Sequence, residues 1–304
     1  MRIRCLSIRI LVPATVTGLA LLAMTAPAGA LVLGCSATAS NPINGQILNI
    51  SGASPCDISA NNPDPSVSAL SSARAVVSPG LLRAEAVTGT SGTTSFTFHM
   101  GAAALATLQD TMTVAGLPGT GALLTFNVRV TGSLESSRIR SGTSQPTAAT
   151  DFVFNYSLGN FDFFTPGTNG ILNGCAHNAD AGISTCNGSF SFPVGGSVLV
   201  DDLVSLSVFA HNGDHLGLGL SLSASGLSRI EQDGDSAATS ADFAHTVQWL
   251  GLAFSEASAN AVVTGESGFD YGQRIQQDVP EPATLAFLGL SLAGLRVMRR
   301  RRTA

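Results

Sequence analysis

Lysine is absent from this 304-residue chain, and all fifteen basic residues are arginine. Arg2, Arg4 and Arg9 lie at one end and Arg296, Arg299, Arg300, Arg301 and Arg302 at the other. Seven arginines are left for residues 31–279, against nineteen of the twenty acids, a net of −12 where the whole chain is −5. So acidic a surface, without a basic stripe, excludes nucleic acid and suits anionic lipid poorly. Enzyme signatures are missing too: there is no Gly-x-Ser-x-Gly elbow, no His-Glu-x-x-His and no phosphate loop. Gly182-Ile183-Ser184 does not continue to the required glycine. Aromatic residues are few, at 6%, and no stretch from 31 to 279 reads as a long amphipathic helix.

What is present at the ends reads as targeting rather than fold. Three arginines, an apolar run from Ile10 to Met24 and small residues at Ala28 and Ala30 follow the order of a secretory signal, residues 1–30. A lipoprotein signal ending at Gly34-Cys35 is the rival, and the bulky Leu33 argues against it. Towards the other end, Ala283 to Leu295 carry no charge. As a helix they rise about 20 Å, short of a hydrocarbon core of about 30 Å unless the bilayer thins and Arg296 snorkels. Arg299, Arg300, Arg301 and Arg302 then act as the membrane stop, cytoplasmic by the positive-inside rule. Pro280 and Pro282 keep Glu281 in an extended, accessible stretch ahead of that helix.

Val279-Pro280-Glu281-Pro282, the short apolar run and the terminal arginines together resemble the PEP-CTERM sorting signal. The resemblance covers residues 279–304 and implies a Gram-negative host and a membrane-embedded exosortase that cleaves near residues 280–282. It further implies passage through Sec-type export machinery and transient inner-membrane insertion. Release to the cell surface or an exopolysaccharide-rich matrix would follow. It says little about the domain in between, although Ser240 to Thr246 and Ser267 to Tyr271 are similar to strings common near the end of such ectodomains.

For residues 31–278 the pattern is apolar residues alternating with polar ones, which predicts strands with one buried face. Phe96, Phe98 and Met100 alternate, as do Leu124 to Val130 and Phe152 to Leu158. Short strands between turn signals predict a mainly β extracellular domain, an antiparallel sandwich or jelly roll. GAAALATLQD at 101–110 is the best short helix candidate. Asn212-Gly213 predicts a hairpin between 197–211 and 214–224, with Phe209 opposite Leu216 and Leu203 opposite Leu222 on a core face. A second strand pair is expected over 245–256 and 259–266, and an irregular loop over 41–66. Once Cys5 leaves with the signal, Cys35, Cys56, Cys175 and Cys186 read as two disulfides. Of three connectivities, the local one, Cys35–Cys56 with Cys175–Cys186, is favoured over zinc binding by Cys175, His177 and Cys186.

Chemistry-bearing clusters are few. His211 and Asp214 should pair at their turn, with His215 on the opposite face. Asp233 and Asp235, near Glu231 and Asp242, are calcium candidates whose spacing departs from an EF-hand. Asp201-Asp202 reads as a turn cap, and Phe161 to Phe164 as core or a sugar-stacking surface. The expectation is an exported, non-enzymatic surface or matrix protein that needs no cofactor. The alternative is a carbohydrate- or calcium-binding lectin-like module.

Overall fold

Apolar side chains at every second residue give a strand one buried face, and here that period runs through long strands. The computed structural model describes residues 31–41, 46–52, 54–61, 67–92, 97–162, 167–177, 190–193, 197–253 and 255–273. The strands are β1 (Val32–Asn41), β2 (Gln46–Gly52), β3 (Cys56–Asn61), β4 (Val67–Ser78), β5 (Leu81–Gly92), β6 (Phe98–Ala115) and β7 (Ala122–Ile139). They continue with β8 (Thr147–Asn160), β9 (Asn169–His177), β10 (Phe190–Pro193), β11 (Ser197–Ala210), β12 (His215–Ile230), β13 (Ser236–Leu252) and β14 (Val262–Gly265). Among the described residues the helical piece is one 3-10 turn, Glu256–Ser258. No helix among them is long and apolar enough to cross a membrane. The signal segment, the apolar tail, the sorting motif and the stop arginines lie outside the described residues.

Two sheets stack face to face. One runs β10-β9-β8-β12-β6-β1-β2 with β14 added beside β6, and the other runs β11-β7-β13-β5-β4-β3. Neighbours are antiparallel except β9 and β10. The mainly β antiparallel sandwich predicted from alternation is therefore what forms. Leu124, Phe126, Val128 and Val130 of β7 are buried, as are Phe98, Met100, Phe152, Phe154 and Leu158. Phe96 lies outside the described residues.

Side-chain size sets the packing across the core. Where β1 and β6 meet β4 and β5 the inner faces are mostly alanine: Ala37, Ala102, Ala104, Ala106, Ala73, Ala75, Ala84 and Ala86 are all buried. Small residues let the two backbones approach, with little apolar area per residue. The bulk lies under β7, β8 and β13, where Phe152 stacks on Phe243 at 4.3 Å and Phe126 meets Trp249 at 5.2 Å. Gly132 makes room there, since a Cβ on it would stand 2.5 Å from the Phe243 ring. A hydroxyl pair, Thr88 with Thr239 at 2.7 Å, satisfies two polar groups inside the core.

Four expectations are corrected. Residues 101–110 are not a helix but the middle of β6, because a central strand paired on both sides satisfies its backbone better than a lone helical turn would. Asn212-Gly213 does not close a hairpin. β12 already has β6 on one edge and β8 on the other, so β11 pairs with β7 in the opposite sheet. The turn is a crossover between layers, and it inverts the expected faces of β11. Leu203 and Phe209 point outward, 56% and 44% exposed, while Val204, Leu206, Val208 and Ala210 enter the core. The expected pairing of 245–256 with 259–266 is also absent: β13 lies between β5 and β7, and β14 pairs with β6. Finally, residues 41–66 contain β2 and β3 rather than only irregular loop.

The first disulfide is as expected, Cys35–Cys56, with Cα atoms 5.9 Å apart. It joins β1 of one sheet to β3 of the other, so it ties the layers together at one edge of the sandwich. It also commits the Cys35 thiol, which a lipoprotein signal would need for its lipid. Cys175 is disulfide-bonded as well; Cys186 lies outside the described residues. Replacing Cys35 and Cys56 together by alanine should lower unfolding stability by about 3 kcal/mol on the loop-entropy estimate, read as a shift in the denaturant midpoint.

Candidate functional site

The last described residues, 262–273, close the sandwich through one cluster, built where strand period and sequence conflict. Inward positions of β6 read Phe98, Met100, Ala102, Ala104, Ala106, Leu108, Asp110, Met112 and Val114, all buried. A carboxylate thus occupies a core position. A buried carboxylate is costly unless donors meet it. Its Oδ2 accepts hydrogen bonds from the Ser267 hydroxyl at 2.6 Å and the Tyr271 hydroxyl at 2.8 Å. Oδ1 has no partner among the described residues, so these two donors carry the compensation.

Residues 266–273, after β14, fold back to supply those donors. Tyr271 N–H donates to Val263 at 2.8 Å and Gly265 N–H to Phe269 at 2.9 Å. Glu266 N–H donates across to Thr111 of β6 at 2.9 Å. The Trp249 indole donates to the Tyr271 carbonyl at 2.9 Å, with its ring edge-on to Tyr271 at 5.1 Å. Phe269 packs edge-on to Tyr271 at 4.8 Å and lies over Gly80, whose φ of +75° and missing Cβ leave room for the ring. Burial, then the hydrogen bond and charge of Asp110, push the Tyr271 phenol above its ordinary value, which keeps it a donor. The result is a latch holding residues 262–272 against β6 and β13.

The remaining candidates serve turns. Asp214 Oδ2 accepts from His211 N–H at 2.8 Å and Asn160 Nδ2 at 2.7 Å, while the His211 ring Nδ1 stands 3.6 Å away. His211 and Asp214 do share a side, but the stronger bond runs through the His211 backbone. His215 faces elsewhere and meets Asp162, its Nδ1 3.1 Å from Oδ2. The Asn212 side chain bonds both backbone groups of Leu117, at 2.7 and 2.6 Å, fixing the crossover. Phe161 covers Gly217, so that glycine is approached closely; Phe163 and Phe164 lie outside the described residues.

At the opposite end Asp235, 1% exposed, organises the turn before β13. Its carboxylate accepts from Ser141 N–H at 2.8 Å, Ser144 hydroxyl at 2.6 Å, Gln232 N–H at 2.9 Å and Glu231 N–H at 3.1 Å. Burial works to raise its pKa, but these four donors outweigh it and hold the carboxyl below its ordinary value. Both oxygens face protein donors rather than an open site, and Asp233 beside it is exposed. Among the described residues no three His, Cys, Asp or Glu side chains converge as a metal site. Asp201 and Asp202 sit within β11 instead of at a turn: Arg129 grips Asp201 with two bonds of 2.8 Å, and Asp202 bonds the next backbone N–H.

Residues 278–302 match the family model of the PEP-CTERM protein-sorting motif. No curated protein and no solved structure matches the chain. The motif marks an exported protein sorted through the membrane by an exosortase.

Tyr271→Phe should cost about 1–2 kcal/mol of stability, because Asp110 then keeps one hydroxyl donor; thermal unfolding reads it. Asp235→Asn should cost about 2 kcal/mol near neutral pH. Since the folded carboxyl titrates below the roughly 3.9 of an unfolded aspartate, that contribution is complete above pH about 4 and is lost as pH falls through the folded value. Wild-type and variant melting temperatures should therefore converge in acid.

Proposed function

We propose that the chain is an exported, non-enzymatic protein of the cell surface or an exopolysaccharide matrix, processed at both ends. The motif at 278–302 carries this reading. Within it, Val279, Pro280, Glu281 and Pro282 are the recognition segment, the apolar run holds the membrane, and Arg299, Arg300, Arg301 and Arg302 stop transfer in the cytoplasm. Residues 1–30 direct Sec-type export and leave, and the host is Gram-negative.

Two further observations support it. The Cys35–Cys56 bond suits an oxidising compartment, and Cys175 is disulfide-bonded as well. The buried carboxylates, Asp110, Asp214 and Asp235, are each engaged by donors that fix a turn or a chain end. Such groups build a scaffold rather than poise an acid or base. The same engagement of Asp235 favours a plain surface domain over the calcium-dependent lectin-like alternative. Calcium-dependent thermal stabilisation or retention on matrix polysaccharide would revive that alternative.

Deleting the host's exosortase should leave full-length protein in the membrane fraction, detected by an antibody against the terminal residues. Mature protein still appearing outside without its tail would refute the sorting mechanism.

A further inference from the structure

Both ends of the described chain lie at one end of the sandwich. Val32, at the start of β1, pairs with Gln109 of β6, and β14 takes over the same edge of β6 from Met112 to Ala115. The latch then fixes Tyr271 on Asp110, one residue from Gln109. Loops 116–121 and 255–261 and the turn at 79–80 crowd this exit end, because β7 and β5 begin there and β13 finishes there. The strands behind it are long: β6, with 18 residues, extends about 60 Å.

From the latch to the sorting motif the link is short. Five residues, 274–278, join Gln273 to Val279. Fully extended, that link reaches about 21 Å, and as a random coil its mean span is nearer 14 Å. A rigid body about 60 Å long, held at one end by so short a link, cannot swing its far end to the motif. We infer that the exit end of the sandwich is the surface that the short link holds towards the membrane-embedded processing enzyme, so that the loops around Tyr271 limit how closely the enzyme approaches the sorting motif. This rests on the sorting reading above and adds which face of the domain the enzyme sees.

The charge of that face specifies its partner. Residues 113–121 and 255–273 carry Glu256, Glu266 and Asp270, with neither arginine nor lysine. Anionic headgroups are repelled by such a surface, so the tether and tail are the whole membrane hold. The partner is therefore the outward face of the enzyme, neutral or basic where it meets these loops. Cutting the tail releases the domain without residual lipid adhesion.

Processing in the host tests the inference through tether length. Deleting residues 274–277, which leaves the matched motif at 278–302 whole, shortens the reach by about 13 Å and should slow tail removal about tenfold or more, as a linker too short to span its sites loses effective concentration steeply. Thermal unfolding of the deleted form should match wild type, since the latch is intact. Tyr271→Ala in the same deletion frees residues 266–273 as slack and should restore processing, with hydrogen exchange confirming that only the latch has opened. A twelve-residue Gly-Ser insertion after Gln273 should be processed normally. Wild-type processing of the deletion, or slow processing that neither Tyr271→Ala nor the insertion in the deleted chain restores, overturns the inference. Replacing Pro280, Glu281 and Pro282 by alanine is the separate control: if the tail is still removed, the sorting reading itself fails.

Discussion

The hydroxyl of Tyr271 on the buried carboxyl of Asp110 is the contact on which the rest of this account depends. Asp110 is an acid at a core position of a central strand, and the chain can hold it there only by returning donors from beyond β14. That requirement reaches outward in two directions. It pins Phe269, Tyr271 and the Trp249 indole into one aromatic plug at the end of the sandwich. It also fixes residues 266–272, the last of which, Gly272, stands six positions before the start of the matched sorting motif at 278.

Much of the fold was legible because alternation is a direct consequence of strand geometry. Leu124 to Val130 and Phe152 to Leu158 contain large apolar residues at every second position, and both are buried as read. Over 101–110 the period was hidden, since Ala102, Ala103 and Ala104 are alike on both faces and alanine also favours helix. Once that stretch is known to be a strand, Asp110 stands out at an inward position, the signal that would have found the latch. The Asn212-Gly213 turn was recognised, but turn chemistry is local and partner choice is not. With both edges of β12 occupied, β11 had to join the other sheet, and no dipeptide encodes that. The tail motif was readable because it is a continuous pattern in the sequence itself, over residues 278–302.

The acidic balance follows the same division between inside and outside. Carboxylates inside the fold are met by donors. Those on the open face of the second sheet line up across strands, Asp57, Arg74, Glu85 and Asp242 in successive register. Burial, then the neighbouring Asp242, raises the Glu85 pKa, with Arg74 working against both. One arginine among three acids leaves this row negative. A domain of this kind is a poor partner for anionic lipid. Its stability rests on long strands, small inner residues and the inter-sheet disulfide rather than on surface ion pairs.

Intact-mass measurement of the mature protein secreted by its host tests the central claim most directly. The account predicts a chain that begins after Ala30, ends between Val279 and Ala283, retains Tyr271, and is lighter than its reduced form by the hydrogens of two disulfides. A secreted mass that still includes the apolar run and terminal arginines, or that ends before Tyr271, would contradict it.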